Sequence, residues 1–340
     1  MATQGVRSTT SLIGAEGFGE IVDLCYDHFG TRAVACSSRQ IAILEKSPSL
    51  TSDSWAIKHT WTAVEAEGDG LQALLLHRGH ITKVSWAHAE FGQVVSSASS
   101  DGFVCIWTER AKGDKDSASG SGRPGEGSTA WDLASSFKAG RTPCLDMKFA
   151  PPQYGLRLGA CFGDGHVKLY RSDKVLTSKD WQLVQDIQVG LGGSDEVCTK
   201  FCWRPFSHDM PEMLLLGTTK EASIWSFETA LGRWNKVAAL PLGKGAKGVT
   251  DVSWSSSSGR TSELLAFSAG QDVYIIQVKD NLDQLGVTTV AKLECGAAVH
   301  QIEWNKLGTT LATSASDGTV KLWRPDLTEE WHEMTRILGQ

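Results

Sequence analysis

A chain of 340 residues with 33 Lys and Arg against 39 Asp and Glu carries a formal net charge of −6, which argues against the clustered basic surface that phosphate backbones require. It contains no apolar run of 18 residues, so no helical membrane span is expected, and its first residues lack the apolar core of a secretory signal. Eight Cys are scattered through segments that alternate like strands; a reduced thiol there acts as a small hydrophobe, a usage that fits the cytosol or the nucleus.

In chain order, residues 1–15 read as a flexible N-terminus, rich in Gly, Ser and Thr, with Leu12-Ile13 as its one apolar pair. Residues 16–340 read as a single domain built on a module that occurs six times. Its clearest copies are His80–Trp107 and Val299–Trp323. Each holds an alternating strand ending in an aromatic, a Gly turn, a small-residue strand, Asp-Gly, and a second alternating strand ending in an aromatic. Tyr26, Trp86, Phe149, Trp203, Trp254 and Trp304 close the first strand of each copy, at intervals of 60, 63, 54, 51 and 50 residues. Insertions lengthen the early copies. Residues 109–130 hold nothing larger and apolar than Ala and read as a disordered Gly/Ser-rich loop, and 65–70 form a shorter excursion.

Asp101-Gly102, Asp164-Gly165 and Asp317-Gly318 supply the positive φ of tight hairpins, each followed by a period-two run (FVCIW, HVKLY, TVKLW). In the other copies Ser38-Arg39-Gln40, Lys220-Glu221 and Gly270-Gln271 stand at that turn. A fourth segment follows every copy: Trp55–Trp61, Trp131–Phe137, Trp181–Val189, Trp234–Leu240, Val287–Leu293 and Trp331–Leu338. The fold class is therefore all-β, a WD-repeat β-propeller of six four-stranded blades, in which the 13 Trp anchor blade packing.

Because the last copy has its own fourth strand, no strand exchange is needed to complete it, and the ring is expected to stay open. The alternative is that residues 1–19 pair with the sixth blade and close it. An open ring leaves apolar faces and strand edges on the terminal blades, which a partner adding strands would cover. The expected contacts are Ile21, Val34 and Ile43 on the first blade and Val320 and Leu322 on the last.

Chemistry is sparse. Cys198, Cys202 and His208 lack the second pair of a zinc site, no G-x-S-x-G elbow occurs, and 190–193 lacks the Lys-Ser/Thr of a phosphate loop. His80, after Gly79, is expected to order its blade through a hydrogen bond, and His88 to be exposed. Asp101, Asp164 and Asp317 read as turn residues. No catalytic residue, cofactor or metal is assigned, and the chain is not read as an enzyme.

The segments Trp86–Trp107, Met147–Tyr170 and 296–338 resemble the second, third and sixth blades of the Seh-type nucleoporins, and Tyr26–Leu44 resembles the first less closely because Arg39-Gln40 replaces the Asp-containing turn. The pattern W-A-H-x-x-F-G, beginning at Trp86, is shared with the sibling propeller of the COPII outer coat; the exit Tyr170–Trp181 and the ending Trp323–Trp331 lean to the Seh type. The resemblance implies an open propeller in the nuclear pore outer ring, or Y-complex. There an α-solenoid nucleoporin contributes an inserted blade beside other scaffold subunits, with no direct nucleic-acid or membrane contact. It also implies a place at the nuclear envelope, supporting protein and mRNA transport, and admits a second role in a SEA/GATOR-type nutrient-signalling complex in the cytoplasm or at the lysosomal or vacuolar surface. A third reading, a ubiquitin-ligase receptor, rests on Trp107-Thr108-Glu109-Arg110, where Thr replaces the Asp of a WDxR motif.

Overall fold

The structure, a computed structural model, describes residues 6–7, 11–13, 17–46, 54–64, 76–111, 129–175, 177–190, 196–208, 210–242, 248–256, 262–281 and 284–338. The expected insertion at 65–70 and the centre of the expected loop at 109–130 lie outside them.

Among the described residues the strands form six sheets, one per repeat. Blade one is β3 (Asp23–Tyr26), β4 (Arg32–Cys36), β5 (Gln40–Lys46) and β6 (Ser54–Thr62); blade two is β7 (Ile81–Trp86), β8 (Val94–Ser99), β9 (Phe103–Ala111) and β10 (Thr129–Lys138). Blade three is β11 (Cys144–Phe149), β12 (Arg157–Phe162), β13 (His166–Arg171) and β14 (Gln182–Gln188); blade four is β15 (Cys198–Trp203), β16 (Met213–Thr218), β17 (Glu221–Glu228) and β18 (Arg233–Pro241). Blade five is β19 (Asp251–Trp254), β20 (Glu263–Ala269), β21 (Asp272–Asn281) and β22 (Gln284–Glu294); blade six is β23 (Val299–Trp304), β24 (Leu311–Ala315), β25 (Thr319–Pro325) and β26 (Trp331–Leu338). In each sheet the four strands lie in chain order, because hairpin turns connect only neighbours. All six fourth segments expected from sequence are strands.

Two further strands correct the expectation of a flexible N-terminus over 1–15. β1 (Val6–Arg7) pairs in parallel with β26, Val6 opposite Ile337. β2 (Ser11–Ile13) pairs in parallel with β6, Leu12 opposite Trp55. A meander leaves its outer strand with one row of unpaired N–H and C=O groups, and the passing chain takes some of them. Blade six thus gains a fifth strand from the N-terminal segment, the partner considered for it in the closed-ring alternative, while its own four strands remain contiguous. The 109–130 loop is shorter than expected: β9 and β10 stay paired out to Ala111 opposite Thr129.

The described chain divides into two compact units. One comprises Thr10–Ala160 with Lys168–Val184, the other Met1–Thr9, Cys161–Val167 and Gln185–Gln340. Within each, the core lies between successive blades and follows one rule. The earlier blade contributes the residues one and three places before the end of its third strand's alternating run. The later blade contributes the two outward residues of its first strand and the residue closing its third, an aromatic in blades two and six and Ile276 in blade five. Ile41 and Ile43 of blade one thus pack with Val84, Trp86 and Trp107 of blade two. Ala222 and Ile224 of blade four meet Val252 and Trp254 of blade five; Val273 and Ile275 meet Ile302, Trp304 and Trp323 of blade six.

The tryptophans are used as packing anchors, as expected. Trp61 stacks on Trp131 (centroids 5.7 Å apart, 10° between planes), and Trp131 meets Trp86 edge-on at 5.8 Å. The Arg32 guanidinium lies 5.3 Å from the Trp86 ring centroid and grips Glu109 with two bonds of 2.8 and 3.0 Å, a forked geometry that lysine could not reproduce. Seven of the eight cysteines are buried, and none is joined in a disulfide. Burial and the nearby Asp23 carboxylate push the Cys36 thiol up to about 12, so it packs as a neutral hydrophobe.

Candidate interaction surface on the terminal blades

The repeat allows each blade to be compared with the others position by position. On the first strand, Val84, Met147, Phe201, Val252 and Ile302 occupy one repeat position and are all buried. Leu24 stands there in blade one and is 38% exposed. At the next outward position Trp86, Trp203, Trp254 and Trp304 are buried, whereas Tyr26 is 53% exposed. Ile21, Val22 and Phe29 are also exposed, so five large apolar side chains cluster within nine residues at the start of blade one. Large contiguous apolar exposure marks an interaction surface.

Further across the same face, Ala33, Ala35, Ala42 and Leu44 are buried with Phe18 packed against them. Ala33, Ala42 and Leu44 stand where blade two has Val95, Cys105 and Trp107, and the incoming chain adds the aromatic Phe18 against them. The uncovered part of the face is therefore its first strand.

Blade six shows the complementary pattern. In each of the first five blades the pair one and three places before the end of the run is buried: Ile41 and Ile43, Val104 and Ile106, Val167 and Leu169, Ala222 and Ile224, Val273 and Ile275. In blade six that pair is Val320 and Leu322, and both remain partly exposed. Their neighbours Lys321 and Trp323 point the other way: Lys321 donates to the Cys295 carbonyl at 2.8 Å, and Trp323 joins the core against blade five.

Of the five residues expected at the surface, Ile21, Val320 and Leu322 are accessible. Val34 and Ile43 require correction. Both are fully buried against Ile81, Val84 and Trp86. A blade has two faces, and these residues belong to the face already covered by blade two. Leu24 and Tyr26, which sequence reasoning passed over, occupy the free face. The signal for them was present: they stand at the positions of Val84 and Trp86.

Polar bonds align successive blades. Asp23 accepts from the Val84 backbone N–H at 3.0 Å and from Lys83 Nζ at 2.9 Å. Asp251 repeats this in blade five, accepting from the Ile302 N–H at 2.8 Å. Inside blade two the expected ordering histidine is His77, not His80. The Nε2 of His77 lies 2.7 Å from Ser97 Oγ, which also accepts from Trp107 Nε1 at 2.9 Å, while the His80 side chain is exposed. Burial lowers the His77 pKa to about 4 against the pull of Asp101, so at neutral pH it is an uncharged bridge. Burial opposes ionisation of Asp101, but bonds from Ser99 Oγ and from the N–H groups of Phe103 and Arg78 outweigh it and hold the carboxyl below its usual range. His88 is half-buried, its ring centroid 4.1 Å from that of His28.

The residues weighed for chemistry do not form a site. His208 is exposed and packs edge-on against Phe206, while Cys198 and Cys202 are buried. Among the described residues one group of three potential metal ligands lies close together, Asp326, Glu330 and His332, all exposed. Asp326 is engaged there by Thr328 and His332.

Six four-stranded meanders with a repeating interblade core define a WD-repeat β-propeller, and residues 72–108 and 288–324 match the family WD domain, G-beta repeat. Along its length the chain is similar to the SEH1 nucleoporins. It is 28% identical to Nucleoporin SEH1-B of Xenopus laevis over 338 residues, covering 94% of this chain and 85% of the relative. It is 28% identical to Nucleoporin SEH1 of Homo sapiens over 336 residues with the same coverage. For Nucleoporin SEH1 of Danio rerio the identity is 27% over 336 residues, covering 94% and 84%.

Proposed function

We propose that this chain is a non-catalytic scaffold subunit of the nuclear pore outer ring, of the SEH1 kind, working at the nuclear envelope in support of nucleocytoplasmic transport. Its similarity to SEH1 nucleoporins from end to end supports the assignment, and the geometry supplies the mechanism. The observation that carries it is the exposure of Leu24, at a position buried in all five later blades, and of Tyr26, at a position where four of them bury a tryptophan and Phe149 is half-buried.

In this reading a partner covers the first-blade face with one side of an added blade and the Val320–Leu322 face with the other. The added blade brings to blade one a β-branched or leucine pair in the manner of Ile41 and Ile43. To blade six it brings an aromatic in the manner of Trp86. Burying two such faces removes more than about 1,000 Å² from water, the scale of a stable interface, with apolar burial as the driving force. The partner is an α-solenoid nucleoporin of the Y-complex with strand-forming residues at its N-terminus. Ile21, Val320 and Leu322, with Leu24 and Tyr26, make the contact.

Co-expression with that solenoid, with and without its N-terminal strands, tests the proposal. A one-to-one complex that is lost on deleting the strands, and lost again with Leu24→Asp plus Tyr26→Asp, supports it. Assembly with a vesicle-coat solenoid in preference to the pore solenoid would transfer the chain to the COPII coat. A complex indifferent to both changes would overturn the blade-insertion mechanism.

A further inference from the structure

Apolar packing is one half of a blade interface, and a hydrogen bond from the first strand of the earlier blade is the other. The bond comes from one of the two residues before the repeat position of Val84 and Ile302. Where the nearer residue is an aspartate, its carboxylate accepts a backbone N–H of the next blade: Asp23 from Val84 at 3.0 Å and Asp251 from Ile302 at 2.8 Å. Where the nearer residue is Lys83 or Lys200, which cannot accept, the farther one acts instead. Thr82 Oγ1 donates to the Cys144 carbonyl and Thr199 Oγ1 to the Val249 carbonyl, both at 2.9 Å. Cys144 and Val249 stand three residues before Met147 and Val252, which share the repeat position of Val84. A first strand therefore offers its neighbour a carbonyl and, three residues on, an N–H.

The threonines reach across because of a bulge. Pairing of the first two strands shifts between Ile81 and Lys83 in blade two and between Cys198 and Lys200 in blade four, and the residue left over is Thr82 or Thr199. An extra residue bends its strand and re-aims its side chain. Blade six has the same shift, between Val299 and Gln301, and its extra residue is His300. Beside it, Gln301 holds the position of Asp23 and Asp251. Both side chains are exposed, and among the described residues neither is hydrogen-bonded. By contrast Thr250, the corresponding hydroxyl of blade five, stays with Ser268 of its own blade, the two oxygens 2.7 Å apart. An imidazole N–H donates as a threonine hydroxyl does, and the glutamine amide oxygen accepts as a carboxylate does.

We propose that His300 and Gln301 are the polar half of the seam. His300 donates to a backbone carbonyl on the first strand of the inserted blade, and Gln301 accepts from the backbone N–H three residues further on. This rests on the blade insertion proposed above and adds what sets the register of the insert. Apolar burial is non-directional, whereas two directional bonds three residues apart admit one alignment. Because both bonds go to main chain, they position the inserted strand and leave its sequence to be chosen by the apolar contacts.

The test is titration of the full chain with the same fluorescently labelled pore solenoid, with and without its N-terminal strands. His300→Val and Gln301→Met remove the polar groups, and His300→Thr installs the hydroxyl that blades two and four use. Valine and threonine have one shape, so the difference between them reads the hydrogen bond. His300→Val and Gln301→Met should each bind about fivefold or more weakly, the loss of one hydrogen bond, and His300→Thr should bind like the wild type. The urea midpoint of the free chain should stay unchanged in all three. Thr82→Val, which removes a bond inside the free chain, should lower that midpoint. Wild-type affinity in His300→Val or Gln301→Met, or equal weakening by valine and threonine at 300, overturns this inference and leaves the insertion standing. A wild-type chain that fails to bind, or binds equally well without the strands, overturns the insertion and the inference with it.

Discussion

Tyr26 and Trp86 stand at the same position of successive repeats, yet Tyr26 is 53% exposed and Trp86 only 7%. The difference lies in what covers them: the Ile41–Ile43 face of blade one packs on Trp86, and among the described residues no comparable burial reaches Tyr26.

The first prediction follows from that contrast. Leu24→Asp should change the stability of the isolated chain by no more than about 0.5 kcal/mol, as exposed substitutions usually do. Val84→Asp, at the same repeat position, places an unpaired carboxylate in a closed interface and should cost roughly 3 kcal/mol or more. Urea denaturation of both variants checks this; equal losses would mean that the Leu24 face is covered after all.

Stability should fall in mild acid because of His77. Its pKa is about 4 in the folded chain, against an ordinary value of 6.5. The unfolded chain therefore binds a proton that the folded chain refuses. The neutral side chain's contribution is complete above pH 6.5 and declines as the pH drops toward 4, by up to about 3 kcal/mol. His77→Gln should flatten that decline, measured as the urea midpoint at several pH values.

Arg204, 1% exposed, donates through Nε to Glu263 at 2.7 Å and through its second terminal nitrogen to the other carboxylate oxygen, and Trp254 Nε1 donates to the same Glu263 at 2.9 Å. This clamp joins blades four and five. Arg204→Met strands a carboxylate in that interface and should cost about 3–5 kcal/mol. Adding Glu263→Gln should recover a large part, because the remaining group is then neutral and still accepts from Trp254. A double-mutant cycle in thermal melts reads the coupling.

Gly102 and Gly318 follow the same Asp in two repeats, with φ of 79° and 75°. A Cβ on Gly102 would sit 2.3 Å from the Gly140 carbonyl oxygen, whereas one on Gly318 meets nothing within 4 Å. Gly318→Ala should cost only the left-handed backbone strain, about 1–2 kcal/mol. Gly102→Ala should cost a further ~1–3 kcal/mol of overpacking, resolvable by comparing melting temperatures.

Period-two alternation, the Asp-Gly turns and the closing aromatics are local chemistry, each acting through neighbours along the chain. From them the sequence alone determined six blades, their strand order and even the last strand, Trp331–Leu338. Pairing of the N-terminal segment with blade six was legible only as an alternative and its pairing with β6 not at all, since two or three residues meeting an open edge leave no periodicity to read. His80 was chosen over His77 because Gly-His is a sequence signal, whereas burial beside Ser97 is a spatial one. Ile43 and Leu322 show the boundary most sharply. They occupy one repeat position, so sequence treats them alike; in the fold Ile43 lies under blade two and Leu322 stays partly exposed. Local alternation determines that a side chain leaves one face of its sheet. Only packing against a neighbouring blade decides whether that face is core or surface.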